Sequence, residues 1–185
     1  MSSKMGDIFF MFDYNEYESE VLSEIKVLTP TTFEDHRGEM WTNWNDDMPM
    51  GDLKISKFTR SRKNVLRGLH GDKVTWKHIS CISGALYLVV VDYREDSVNY
   101  KKWDSFTLTD RNHKSVIVPP GFLNGHLCLS DECVFHYTQS YPHEYVEWKD
   151  QITVKWDEPE LQIDWPITVK SPILSARDKV TEENK

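Results

Sequence analysis

Short runs rich in β-branched and aromatic residues recur along the chain, each closed by turn-forming residues, and this pattern leaves few folds open. Helical 3.6-residue periodicity is nearly absent, so the chain reads as all-β, a sandwich or barrel with little helix. Candidate strands are Glu24–Leu28, Gly38–Trp44, Ile55–Arg60, Asn64–His70, Thr75–Ser83, Leu86–Asp92, Tyr100–Thr107, Ser115–Val118, His126–Leu129, Val134–Ser140 and Ile152–Lys155. Turn signals fall at Glu34–Arg37, Ser83–Gly84, Arg94–Ser97, Pro119–Gly121 and Tyr141–His143. The charged stretch after Pro172 reads as one short helix, and residues 179–185 as a frayed tail. With no internal repeat and no linker, residues 1–185 read as a single domain.

A formal net charge of −8 argues against a duplex nucleic-acid binder, which needs a broad basic surface. An anionic small molecule stays open if a few Arg and Lys converge. The three cysteines, Cys81, Cys128 and Cys133, lack the paired spacing of a disulfide framework and read as buried thiols. The N-terminal stretch has acidic flanks and no cleavage site, and no apolar run approaches a membrane span. The expectation is a cytoplasmic protein with neither membrane nor nucleic acid as partner.

Strand alternation then places side chains. Lys77, Ile79 and Cys81 share one face of their strand, since residues i and i+2 point the same way. That face is expected inward, although the opposite face with His78 and Ser80 is the alternative. A buried ammonium needs a partner. Phe135 and Tyr137 likewise share a face. Three segments stand out for chemistry: Arg67-Gly68-Leu69-His70, Val118 to His126, and Ile173 to Asp178.

In this order and spacing, several modest motifs make a specific pattern. They are Phe33-Glu34-Asp35-His36-Arg37-Gly38, Val65-Leu66-Arg67-Gly68-Leu69-His70 and Val91-Asp92-Tyr93-Arg94-Glu95-Asp96-Ser97, then Pro120-Gly121-Phe122, Leu129-Ser130-Asp131-Glu132 and Ile163-Asp164-Trp165-Pro166. From about Thr29 to Asp178 the chain resembles the dTDP-4-dehydrorhamnose 3,5-epimerase family of the cupin superfamily. The resemblance implies a cupin (jelly-roll) β-barrel that epimerises a nucleotide-diphosphate 4-keto-6-deoxy sugar at C3, C5 or both, without a cofactor or metal. It implies His70 as general base, Asp178 as the carboxylate orienting it, Lys77 near the C4 oxygen and Tyr137 as the acid on the opposite ring face. Arg67 matches a residue near the diphosphate. Arg37 matches one that reaches the nucleotide bound by the partner subunit, in a homodimer with exchanged N-terminal strands. Two positions depart from the family pattern: Asn124 stands where His is usual, and Leu88 where Asp is usual. His126 points to the same side as Asn124 and is the candidate to share its substrate-binding role. The Asn124-Gly125-His126 variant, His70-Gly71-Asp72 and Lys57-Phe58 resemble epimerases of GDP-4-keto-6-deoxy-heptoses in capsule pathways.

The chemistry explains why these residue types are needed. A carbon beside a ketone becomes acidic only as its enolate forms, and a histidine of pKa near ~6.5 is too weak a base without help. A cation at the C4 oxygen and a carboxylate behind the imidazole supply that help. Metal-binding cupins use a His-x-His pair, a Glu and a later His, whereas His70 is followed by Gly71 and Asp72, and Asn124 occupies the later position. No Gly-rich dinucleotide fingerprint is present. The competing readings are a 3,4-ketoisomerase and an inactive nucleotide-sugar-binding cupin. His36 and His143 are expected at solvated turns, and His78 and His136 on outward or interfacial strand faces. Trp148, Trp156 and Trp165 are expected in core or edge packing, with stacking of one aromatic on a nucleotide base as the alternative, and Asp131-Glu132 in a turn.

Overall fold

The computed structural model describes residues 14–168 and 170–179. Thirteen strands form it: β1 (Tyr14–Glu18), β2 (Lys26–Pro30), β3 (Thr32–Asp35), β4 (Gly38–Trp41), β5 (Ile55–Arg62), β6 (Leu66–Gly71), β7 (Trp76–Ser83), β8 (Ala85–Asp92), β9 (Trp103–Thr109), β10 (Ser115–Val118), β11 (Phe122–Cys128), β12 (Glu132–Ser140) and β13 (Ile152–Thr153). There is no helix among the described residues. Two antiparallel sheets, β1-β2-β10-β7-β12-β5 and β13-β6-β11-β8-β9, face each other as a jelly-roll barrel of the cupin type. The hairpin β3–β4 pairs with neither.

The barrel interior is closed at one end by apolar side chains from both sheets: Ile79 and Cys81 of β7, Leu88 and Val90 of β8, Val116 of β10 and Phe135 of β12. Strand β8 reads as an unbroken apolar run because its outer face is also covered. There Val89 and Val91 pack with Leu123, Val154, Leu161 and Trp165, so the chain after β13 forms a second core against that sheet. The segment between β4 and β5 does the same for part of the other sheet, laying Met48 and Met50 on Leu28 and Ile117.

Lys77, Ile79 and Cys81 do face inward, as alternation requires. His78 and His136 lie on the opposite, outer face as expected, and that face is covered: His78 is fully buried and His136 nearly so. His36 and His143 are exposed. Strand bounds shift by a few residues along the chain, and four elements differ most from the sequence reading. Strand β11 begins at Phe122, not His126. Strand β9 begins at Trp103, not Tyr100. Strands β1 and β3 were not anticipated, because YNEYE and TFED carry no apolar alternation. Of the expected C-terminal helix the described residues show one turn, in which the Lys179 N–H donates to Ser175 O. Within that turn the Ser175 hydroxyl donates to Asp178 Oδ2 and accepts the Asp178 N–H. The expected frayed tail lies, beyond Lys179, outside the described residues.

Candidate active site

A cavity of about 200 Å³ opens at the other end of the barrel, between the sheets. Strands β6 and β11 contribute Arg67, His70, Asn124 and His126 from one wall. Strands β5, β7 and β12 contribute Thr59, Lys77, Phe135, Tyr137 and Gln139 from the facing wall. Local backbone chemistry allows Arg67 and His70, three apart on one strand, to face the same cavity. The register between β6 and β11 shifts at Asn124/His126, and Gly68 sits at φ +124°, where only glycine is at ease. A Cβ at Gly68 would lie 2.4 Å from Gly125 Cα, so the two glycines permit the close strand approach.

His70 Nε2 lies 2.9 Å from Asp178 Oδ1, though the oxygen is out of line with a ring N–H. The carboxylate is itself held. Its Oδ1 accepts the Gly68 N–H at 3.2 Å and its Oδ2 accepts the Ser175 hydroxyl at 2.6 Å. Burial opposes its charge, yet the contacts with His70, Ser175 and Gly68 prevail and keep Asp178 below its ordinary pKa. Burial also lowers the His70 pKa, with Asp178 opposing and the Arg177 and Lys77 cations assisting. His70 is therefore neutral at neutral pH, with Nε2 turned to a carboxylate and Nδ1 left for a proton.

Lys77 is buried and donates to Asn124 Oδ1 at 2.7 Å and to His70 O at 3.2 Å. Both acceptors are neutral, so burial brings its pKa down to about 8. Tyr137 lies beside Phe135, ring centroids 5.4 Å apart, and burial raises its pKa while Lys57 pulls it down. His126 stacks face to face on Phe135 at 4.2 Å, and burial pushes its pKa down to about 3. Among the described residues, no carboxylate pairs with Lys77, Arg67 or Arg177. A chain of net charge −8 thus lines this cavity with three cations, and the carboxylate of Asp178 stands behind His70.

Seven of the eight residues expected from the sequence converge here: His70, Lys77, Tyr137, Arg67, Asn124 and His126 line the cavity, and Asp178 backs His70. Arg37 does not. It sits at the β3–β4 hairpin, largely exposed and paired with Asp35. Arg177, Tyr145, Gln151 and Trp148 also line the cavity, although none is assigned a site role from the sequence. Arg177 donates to Thr153 Oγ1 and Gln151 Oε1 and stands over the Trp148 ring. Trp148, expected in packing, is 60% exposed at the cavity rim, whereas Trp165 is buried as expected and Trp156 packs beside it. The adjacency of Arg177 to Asp178 was the one signal that could have found it. No three His, Cys, Asp or Glu side chains converge to hold a metal ion among the described residues.

Comparison with known proteins points the same way. The family model described as dTDP-4-dehydrorhamnose 3,5-epimerase matches residues 19–184. The chain is 33% identical over 169 residues to the dTDP-4-dehydrorhamnose 3,5-epimerase of Escherichia coli, covering 85% of this chain and 88% of that protein. It is 32% identical over 163 residues to the enzyme of that name from Methanothermobacter thermautotrophicus, covering 83% and 85%. Among solved structures, the Bacillus anthracis dTDP-4-dehydrorhamnose 3,5-epimerase with TDP and pyrophosphate bound superposes with a TM-score of 0.83 at 30% identity, covering 91% of this chain and 98% of that one. The Legionella pneumophila epimerase in complex with dTDP-4-keto-L-rhamnose gives 0.82 at 26% identity, covering 90% of each.

Proposed function

The chain belongs to the dTDP-4-dehydrorhamnose 3,5-epimerase family, and from that premise we propose that it inverts C3 and C5 of a nucleotide-linked 4-keto-6-deoxy sugar. The carrying observation is an imidazole and a phenol on opposite walls of one cationic cavity, His70 on β6 and Tyr137 on β12, which suits them as base and acid.

His70 Nδ1 takes the proton from the carbon beside the ketone, and Asp178 stabilises the imidazolium that forms. The electron pair moves onto the C4 oxygen as an enolate, which the Lys77 ammonium meets. Such a preorganised donor is worth roughly 3–4 kcal/mol of barrier. Asn124 Oδ1 and His70 O hold that ammonium in place. Tyr137 then delivers its proton to the other face of the carbon, which inverts it. Repetition at the second carbon requires the sugar to turn so that the other C–H faces His70. Arg67 and Arg177 receive the diphosphate, which accounts for their lack of carboxylate partners. Asn124 and His126 line the sugar pocket.

The finer reading is a GDP-linked heptose of a capsule pathway, supported by Asn124 and by Leu88, which is fully buried opposite His126 where the family pattern has a polar pair. The protein acts as a homodimer in which Arg37 serves the partner subunit's nucleotide, a reading supported by the exposed hairpin that pairs with neither sheet. Three buried, unpaired cysteines support a reducing compartment, the cytoplasm. Incubation with GDP- and dTDP-linked 4-keto sugars in D₂O, followed by NMR, tests the whole. Deuterium at C3 and C5 with inversion is expected. Conversion to a 3-keto sugar would make the enzyme a ketoisomerase, and no exchange with either nucleotide would refute catalysis.

A further inference from the structure

Lys57 is a charged side chain on an edge strand that the scheme above leaves without a task. Edge strand β5 alternates so that Lys57, Thr59 and Ser61 turn inward, and Thr59 lines the cavity. Register sets Lys57 directly opposite Tyr137 on β12. Directly opposed residues on antiparallel strands bring their Cβ atoms within about 5 Å. The ammonium does not reach back to a carboxylate. Instead it donates to the Tyr145 hydroxyl at 3.0 Å and stands 4.3 Å from the centre of that ring. Tyr145, from the loop after β12, lines the cavity with Tyr137. Two cavity phenols thus stand beside one ammonium, with Glu147 the carboxylate that acts on it. The bond to Tyr145 holds Lys57 in its charged form, above its ordinary pKa, against the effect of burial.

We propose that Lys57 is a positioning residue for the proton return: anchored on Tyr145, its ammonium stabilises the phenolate that Tyr137 becomes when it protonates the substrate. The inference rests on Tyr137 being the acid. When the Tyr137 O–H bond breaks, the proton goes to the substrate carbon and the electron pair stays on the phenol oxygen. An enclosed phenolate without a nearby cation is strongly disfavoured, so the donor would be too weak. Lys57 supplies that cation without touching the substrate. The site is restored when the phenolate takes a proton from water and His70 releases the one it removed, so no oxidant or co-reactant is consumed. Other charges facing Tyr137 do not substitute: Lys77, one step along the same wall opposite Gln139, is engaged by Asn124 and His70.

Tyrosine labelled with ¹³C at Cζ gives each phenol an NMR signal, and loss of one signal in Tyr137→Phe assigns Tyr137. Titration of wild type, Lys57→Gln and Lys57→Arg then reads the Tyr137 ionisation directly, without any substrate. Lys57→Gln is expected to raise the Tyr137 pKa by at least half a unit, and Lys57→Arg to leave it near the wild-type value. In D₂O with the sugar nucleotide, Lys57→Gln is expected to lose at least tenfold in inverted product while substrate still gains deuterium through His70, and Lys57→Arg to recover most of the loss. An unchanged Tyr137 titration in Lys57→Gln, or a proportional loss of exchange and inversion in both variants, overturns the proposal while leaving the epimerase reading intact. Normal inversion by Tyr137→Phe overturns the assignment of the acid and with it the role of Lys57.

Discussion

His70 and Lys77 carry opposite requirements, and their surroundings meet both. A base must be neutral and a cation charged at the same pH. Burial, aided by Arg177 and Lys77, lowers His70 and keeps it neutral, while Lys77 at about 8 is still mostly protonated at pH 7. Activity should therefore rise with pH through an acid limb below ~6.5, the ordinary histidine value, and fall on an alkaline limb near pH 8. Lys77→Arg keeps its charge to far higher pH, so whatever rate survives should lose the alkaline limb. A kcat/KM profile from pH 5 to 10 reads both. His70→Ala should abolish deuterium exchange at every carbon with the far-UV circular dichroism unchanged. Asp178→Asn should retain more, since it disturbs the orientation of the ring and not the accepting atom. If His70→Ala kept above a tenth of the exchange, His126 would be the first alternative, and its pKa of about 3 makes it a poor one.

Among the elements, β7 was legible from its letters because Lys77-x-Ile79-x-Cys81 alternates with period two, and only one face of such a strand can join the apolar interior. The start of β11 was not. The candidate strand starts only at His126, since Asn124-Gly125, residue types common in turns, interrupts the β-branched and apolar run. Here Gly125 serves close packing instead: a Cβ on it would meet Arg67 O at 2.9 Å. Arg177, Tyr145 and Trp148 were missed for a related reason. They lie outside the regular strands, where no period tells which way a side chain points. The hairpin β3–β4 was half seen, its turn recognised and its polar first strand not. The glycine argument is testable. Gly68→Ala places a methyl group against Gly125 at a strained φ, and should cost about 3 kcal/mol of stability or displace β6 enough to silence the site. Urea denaturation together with the exchange assay distinguishes these outcomes, and a variant matching wild type in both would contradict the packing described.

The molecule taken entire buries histidines that the unfolded chain would protonate. His78 and His126 are both pushed to about 3 by burial, the former on the outer face of one sheet and the latter in the cavity. A folded-state pKa below the unfolded value means that stability is complete above ~6.5 and lost as pH falls through that value toward 3. The loss should be about 2 kcal/mol per histidine between pH 7 and pH 5. His78→Leu should remove one histidine's share of that slope, measured by urea denaturation at fixed protein concentration. Catalysis itself should survive exhaustive chelation, because the scheme draws only on protein side chains. Loss of activity on chelation, restored by one divalent ion, would contradict it. Epimerisation by two groups on facing walls is decided by Tyr137→Phe in D₂O with the 4-keto sugar nucleotide, followed by NMR of C3 and C5. The facing-wall scheme predicts deuterium washed into substrate through His70 with little inverted product. Full inversion at both carbons at the wild-type rate would contradict it.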